Sequence, residues 1–178
     1  MSSSRKVRRR ADESTRDKST IYTSSWSSHG RVKLLTDRST SIRLSRIRQS
    51  STSAELLVRQ VVSATGHRFR THNRDLPGSP DLANRARGWA IFVHGCFWHH
   101  HVGCVRGTIP TRNRRFWLGK FAANRARDRR SVQDLRRTGF RILVIWECEI
   151  RSIGRLGNVV FRFLNPPNRR RSRSRIQA

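Results

Sequence analysis

Within the eleven residues from His94 to Cys104 the chain sets two thiols and four imidazoles, in the string His94-Gly-Cys-Phe-Trp-His-His-His-Val-Gly-Cys104. No other segment restricts the fold so strongly, because these are the ligand types that zinc favours and a bound zinc ion fixes four side chains in a tetrahedron. Cys96 and Cys104 bracket His101, and Cys148 is the only remaining cysteine of the three in the chain. An odd number of cysteines cannot form a closed set of disulfides, so the expected use is a Cys₃His site of Cys96, His101, Cys104 and Cys148. Spacing alone does not choose between His101 and the adjacent His100. A closed four-ligand site is structural, since catalytic zinc keeps a position open for water, and this one would staple a loop to a sheet. The plain alternative is a group of buried thiols beside a histidine tract.

The chain has 178 residues, about one domain, with 39 Lys and Arg against 11 Asp and Glu, a net charge of +28. That excess exceeds what solubility requires and suits a polyanion, because guanidinium forks bind phosphate oxygens bidentately; nucleic acid leads, although a bias towards Arg could inflate the charge. No run of about 18 apolar residues and no apolar signal region is present, so a cytoplasmic, nucleoid-associated protein without a membrane partner is expected. Apolar residues concentrate between Ala54 and Leu164. The composition therefore predicts a disordered basic arm over 1–40, one domain over 41–164, and a disordered basic tail over 165–178 behind Pro166-Pro167.

Inside the domain, Leu56, Leu57, Val61 and Val62 repeat at helical spacing behind a capping residue, and Gly66 closes that helix. His67–His72 alternates around Phe69 and suggests a strand; Leu76–Pro80 is a turn; Trp89–Val93 reads as a buried strand. From Asn113 to Thr138 the pattern predicts one long or two consecutive helices, and Arg141–Trp146 gives the clearest strand. These elements specify an α/β domain with a central mixed sheet flanked by helices.

Leu76-Pro-Gly-Ser-Pro-Asp81, Ile91-Phe-Val-His-Gly-Cys-Phe-Trp-His99, Phe116-Trp117 and Val144-Ile-Trp-Glu-Cys148 together resemble the very short patch repair DNA mismatch endonucleases, over roughly residues 41–152. The resemblance implies a restriction-endonuclease-like fold. It also implies an enzyme that nicks one strand 5′ to the T of a T:G mismatch arising from deaminated 5-methylcytosine. By position, Asp81 resembles the family's magnesium-binding carboxylate, with the Val93 carbonyl as second protein ligand, and a Mg²⁺ ion needs few protein carboxylates because it keeps most of its waters. His99 resembles the catalytic histidine; Glu55 and His94 match positions that hold metal-bound waters; Asp128 matches a further acidic position that would orient His99. Phe97 and Trp98 resemble an aromatic wedge with Trp117 as its third member, and such a pair on an exposed loop leaves apolar surface for a base to stack on.

Two departures stand out. Leu44 occupies the place of the family's wedge methionine, and the segment after Asp81 is too polar for a long strand. The implied cofactors are catalytic Mg²⁺ and structural Zn²⁺, the implied substrate double-stranded DNA carrying the mismatch, with mismatch-repair proteins as further candidate partners and a monomer as the acting form. A zinc-containing DNA-binding protein without catalysis is the main rival, and would leave Asp81, Glu55 and His99 without a role. A catalytic zinc hydrolase would need an open coordination site, and a nicking nuclease of different specificity fits the same scaffold.

Overall fold

The computed structural model describes residues 20–24, 32–36, 42, 46 and 51–167. Contacts divide the chain into two units, Met1–Ile47 and Arg48–Ala178. In the first, β1 (Thr20–Ser24) and β2 (Val32–Thr36) pair antiparallel, with Thr20 opposite Thr36. This hairpin lies within the span whose composition predicts a disordered arm, and its β-branched and aromatic runs are the local signal for it. Leu44 and residues 168–178 lie outside the described residues.

The second unit runs α1 (Ser53–Ala64), β3 (Leu82–Asn84), β4 (Trp89–His94), α2 (Arg114–Arg137), β5 (Arg141–Trp146), a 3-10 turn (Glu147–Arg151) and α3 (Ile153–Leu164). Its three strands form one mixed sheet in the order β3-β4-β5. β3 is antiparallel to β4, with Leu82 opposite Ile91, and β4 is parallel to β5 from Trp89↔Arg141 to His94↔Trp146. A parallel pair needs a crossover, which α2 supplies as one uninterrupted 24-residue helix.

Side chains on β4 alternate between two apolar layers. Trp89 and Ile91 join Val58 and Val62 of α1, Ile145, Ile150, and Leu156, Val160 and Leu164 of α3. Ala90 and Phe92 join Ala83 and Leu135, with Val132 of α2 packed beside them. Helices therefore cover both faces of the sheet, which is why β4 reads as an unbroken apolar run.

Two expectations are corrected. The buried stripe of α1 is Val58 and Val62, whereas Leu56 is 45% exposed. His67–His72 forms no strand: Arg70 makes a single antiparallel bridge to Ala83, and the Asn84 amide holds the Arg68 carbonyl at 2.7 Å. β3 is only three residues long, in keeping with the polar segment that follows Asp81. α3 was missing from the sequence reading, although Ser152 caps it through the Arg155 N–H and Leu156, Val160 and Leu164 recur at helical spacing.

Candidate functional site

β4 ends at the point where the chemistry begins. A cleft of about 200 Å³ opens there, lined among others by Glu55, Asp81, Val93, His94, His99, Arg127 and Asp128. The turn before β3 delivers Asp81 to it: Ser79 N–H bonds the Leu76 carbonyl at 2.9 Å, and the buried Asn73 amide donates to the carbonyls of Arg70 and Pro80 at 2.9 and 3.0 Å. Gly78, at φ +72, presses so closely on α2 that a Cβ would lie 2.5 Å from that of Ser131, so this position requires glycine.

Asp81 Oδ2 accepts the Val93 N–H at 2.7 Å. Burial raises its carboxyl from 3.8 to about 6, with the Glu55 charge adding to the rise, while the Val93 N–H and Arg59 pull the other way. Desolvated carboxylates of this kind fit a hard divalent cation, which would relieve the cost that burial imposes. Glu55 is buried and anchored on three sides, taking the Ser51 N–H at 2.8 Å, the Thr52 hydroxyl at 3.0 Å and Arg59 Nη2 at 3.3 Å. Its own N–H bonds the Thr52 cap hydroxyl at 3.3 Å, so it both ties down the start of α1 and forms a wall of the cleft.

Across the cleft, His99 Nδ1 lies 2.6 Å from Asp128 Oδ2. Burial favours the neutral Asp128 carboxyl, but the His99 hydrogen bond and charge carry it below its ordinary value. An ionised carboxylate accepts, so the Nδ1–H of His99 donates to Asp128. His94 stacks face to face on His99 at 3.9 Å between centroids and 5° between planes. Burial, reinforced by the charge of His99, lowers His94 to about 4 and so keeps it neutral. Ligand atoms of His94, His99 and Asp128 lie within 4.8 Å of one another.

The cysteines meet on the other side of Trp146. Ligand atoms of Cys96, His101, Cys104 and Cys148 all fall within 4.8 Å, and His101 Nδ1 sits 3.7 Å from Cys96 Sγ and 3.3 Å from Cys148 Sγ. Tetrahedral zinc bonded at about 2.0 Å to nitrogen and 2.3 Å to sulfur spaces those atoms at about 3.5 Å, so the set fits the ion. His101, not His100, faces the thiols; its ring stacks on Trp146 at 4.1 Å, while His100 stacks on Phe121 at 4.9 Å and meets Arg125 at 3.3 Å. Consecutive turns shape the loop: His101 N–H bonds Cys96 O, Cys104 N–H bonds His101 O, and Gly107 N–H bonds Cys104 O. A Cβ on Gly107 would strike the His101 carbonyl at 2.2 Å.

Phe97, Trp98 and Trp117 form one aromatic cluster, with Phe97 edge-on to Trp98 and Trp117 at 5.1 Å and to Phe121 at 5.5 Å. Contrary to an exposed loop, all three are partly buried, because the buried Phe121 of α2 lies beneath them. Lys120 Nζ lies over the Trp98 and Trp117 rings at 5.2 and 5.4 Å. The buried Asn124 amide holds the Trp98 carbonyl at 2.8 Å, one helical turn before Asp128 holds His99. Sequence reasoning missed Asn124, Lys120, Arg59 and Arg127; the spacing 120, 124, 128 along one helix face was the available signal.

Comparison with known proteins adds a lineage to this geometry. The family model described as DNA mismatch endonuclease Vsr matches residues 33–106. Among curated relatives, the type II nicking enzyme V.XorIIP of Xanthomonas oryzae is 41% identical over 123 residues, spanning 69% of this chain and 90% of that one. The type II nicking enzyme V.NmeAIP of Neisseria meningitidis is 36% identical over 60% of this chain and 76% of its own. DNA mismatch endonuclease Vsr of Escherichia coli is 39% identical over 56% of this chain and 64% of its own.

Proposed function

We propose, on the premise that the chain belongs to the Vsr family of DNA mismatch endonucleases, that it cuts one strand of duplex DNA 5′ to the T of a T:G mismatch by Mg²⁺-dependent hydrolysis. One observation carries the chemistry: the buried Asp81 carboxylate and the Asp128–His99 pair line the same cleft. The three-stranded mixed sheet with helices on both faces supports a restriction-endonuclease-like fold.

Asp81 and the Val93 carbonyl would hold the Mg²⁺ ion, with Glu55 and His94 facing its waters. When bound, the ion supplies positive charge at the scissile phosphate. The chain's own residues do the rest. Asp128 fixes the His99 ring with Nε2 free, and that nitrogen takes a proton from the attacking water. The resulting imidazolium is paired with Asp128, and the neutral, stacked His94 adds no opposing charge. The Cys₃His set would hold structural Zn²⁺ and so fix the loop that carries Phe97, Trp98 and His99. Phe97, Trp98 and Trp117 would wedge into the stack, where unpairing costs least at a mismatch. Leu44 is proposed as a further wedge residue. The acting form is a monomer in the cytoplasm, on nucleoid DNA, and mismatch-repair proteins are candidate partners; among the described residues no helix is long and apolar enough to cross a membrane.

Strand cleavage of an end-labelled duplex with a single T:G pair, beside its fully paired control, tests this reading. The expected result is a nick confined to the T strand that requires Mg²⁺. Mismatch binding without a nick on any flanking sequence would instead support a DNA-binding protein without catalysis.

A further inference from the structure

α2 carries eight arginines, and Arg127 is the one that lines the cleft. Two of the others are engaged: Arg125 meets His100 at 3.3 Å and Arg137 pairs with Asp134 at 3.0 Å. The Arg127 side chain, by contrast, makes no hydrogen bond or ion pair with a described residue. The adjacent Asp128 is taken up by His99, and Glu55 is already partnered by Arg59. Arg127 is therefore an exposed guanidinium at the mouth of a cleft that holds three carboxylates, Glu55, Asp81 and Asp128. Its charge reaches into the site, depressing both His94 and Asp128.

A phosphodiester entering this cleft brings a further negative charge against those carboxylates. During hydrolysis the water oxygen bonds to phosphorus, the bond to the leaving oxygen breaks, the water proton passes to His99 Nε2, and solvent protonates the leaving oxygen. Charge grows on the non-bridging oxygens throughout, and a guanidinium that keeps its own proton can meet it with two parallel N–H donors. We propose that Arg127 is a catalytic residue that grips a non-bridging oxygen of the scissile phosphate and neutralises the charge that develops there. The inference rests on the endonuclease reading above and adds a residue to it.

Single-turnover nicking of the T:G duplex by the full chain and by Arg127→Ala, Arg127→Lys and Arg129→Ala tests the assignment. Arg127→Ala should slow the chemical step by about 10²–10³-fold and weaken duplex binding by no more than about threefold, the loss of one phosphate contact. Arg127→Lys should recover part of the rate. Arg129→Ala, on the opposite side of α2, should change binding but not the rate. Sulfur at the gripped non-bridging oxygen should slow the unsubstituted chain, and Arg127→Ala should have lost that sensitivity. Arg127→Ala nicking at the unsubstituted rate, or retaining the full sulfur effect, overturns this proposal alone. Absence of any nick by the unsubstituted chain overturns the endonuclease reading, and this proposal with it.

Discussion

Asp81→Asn should stabilise the protein while abolishing its reaction. The Asp81 carboxyl rises from 3.8 to about 6 mainly through burial, a difference of about two pKa units worth about 3 kcal/mol. Discounting for the part of the side chain that water still screens leaves about 2 kcal/mol. The sign follows from proton counting: between pH 4 and pH 6 the folded chain binds the Asp81 proton more strongly than the unfolded chain does, so stability falls as pH rises through that window. Asparagine cannot ionise and its amide oxygen can still accept the Val93 N–H, so the variant escapes the loss. Thermal unfolding in buffer without added divalent cation should show equal midpoints near pH 4. By pH 7 the variant should lead by roughly 6–10 °C, as about 2 kcal/mol implies for a domain of this size. A strong chelator must be avoided, because it would also strip the Cys₃His set. Added Mg²⁺ should raise the midpoint of the unsubstituted chain and leave the variant unchanged. A variant less stable than the parent at pH 7, or stabilised equally at pH 4 and pH 7, would refute the account of Asp81 as a carboxylate held at a cost.

Cys148→Ser, or prolonged chelation, should release zinc and unfold the loop and the sheet edge, since structural zinc supplies roughly 10–16 kcal/mol of apparent binding energy; a colorimetric zinc assay read beside circular dichroism checks this. Gly78→Ala should lower stability by about 2 kcal/mol, because it puts a methyl group against Ser131 at a positive φ; denaturant titration would read the loss, and an unchanged midpoint would contradict the close approach of turn and helix. Trp98→Ala should weaken binding of a T:G duplex by roughly tenfold or more, the worth of one stacked base, with little change for paired DNA.

The meeting of the three cysteines with a histidine and the strands β4 and β5 were legible in the sequence because each rests on a local signal: soft ligand types crowded into one string, and apolar runs bounded by turns. The choice of His101 over His100 was not, since it depends on which ring Trp146 and Phe121 each claim. Leu56 misled because a stripe of apolar residues fixes a helix face only to within one position, and the sheet selected Val58 and Val62. α3 escaped notice because Gly154 and Gly157 dilute its pattern, although its buried residues form much of one core layer. Arg127 was hidden among like residues: only the fold distinguishes the arginine that turns into a cleft from its solvated neighbours. Phe97, Trp98 and Trp117 were pictured as exposed, because the sequence does not reveal that Phe121 packs against their cluster.

Cys104 and Cys148 stand on either side of α2 in the sequence, with roughly 40 residues between them. A metal ion held by both would close a ring around the helix that carries Asn124, Arg127 and Asp128. By the loop-closure estimate used for disulfides, a ring of that size removes about 4 kcal/mol of chain entropy from the unfolded ensemble. The helix would then search for its place on the sheet as a tethered segment instead of a free one. In folding terms, capture of the ion would come before registration of α2, so a nascent chain deprived of zinc should stall with its sheet edge unformed and its catalytic groups unassembled.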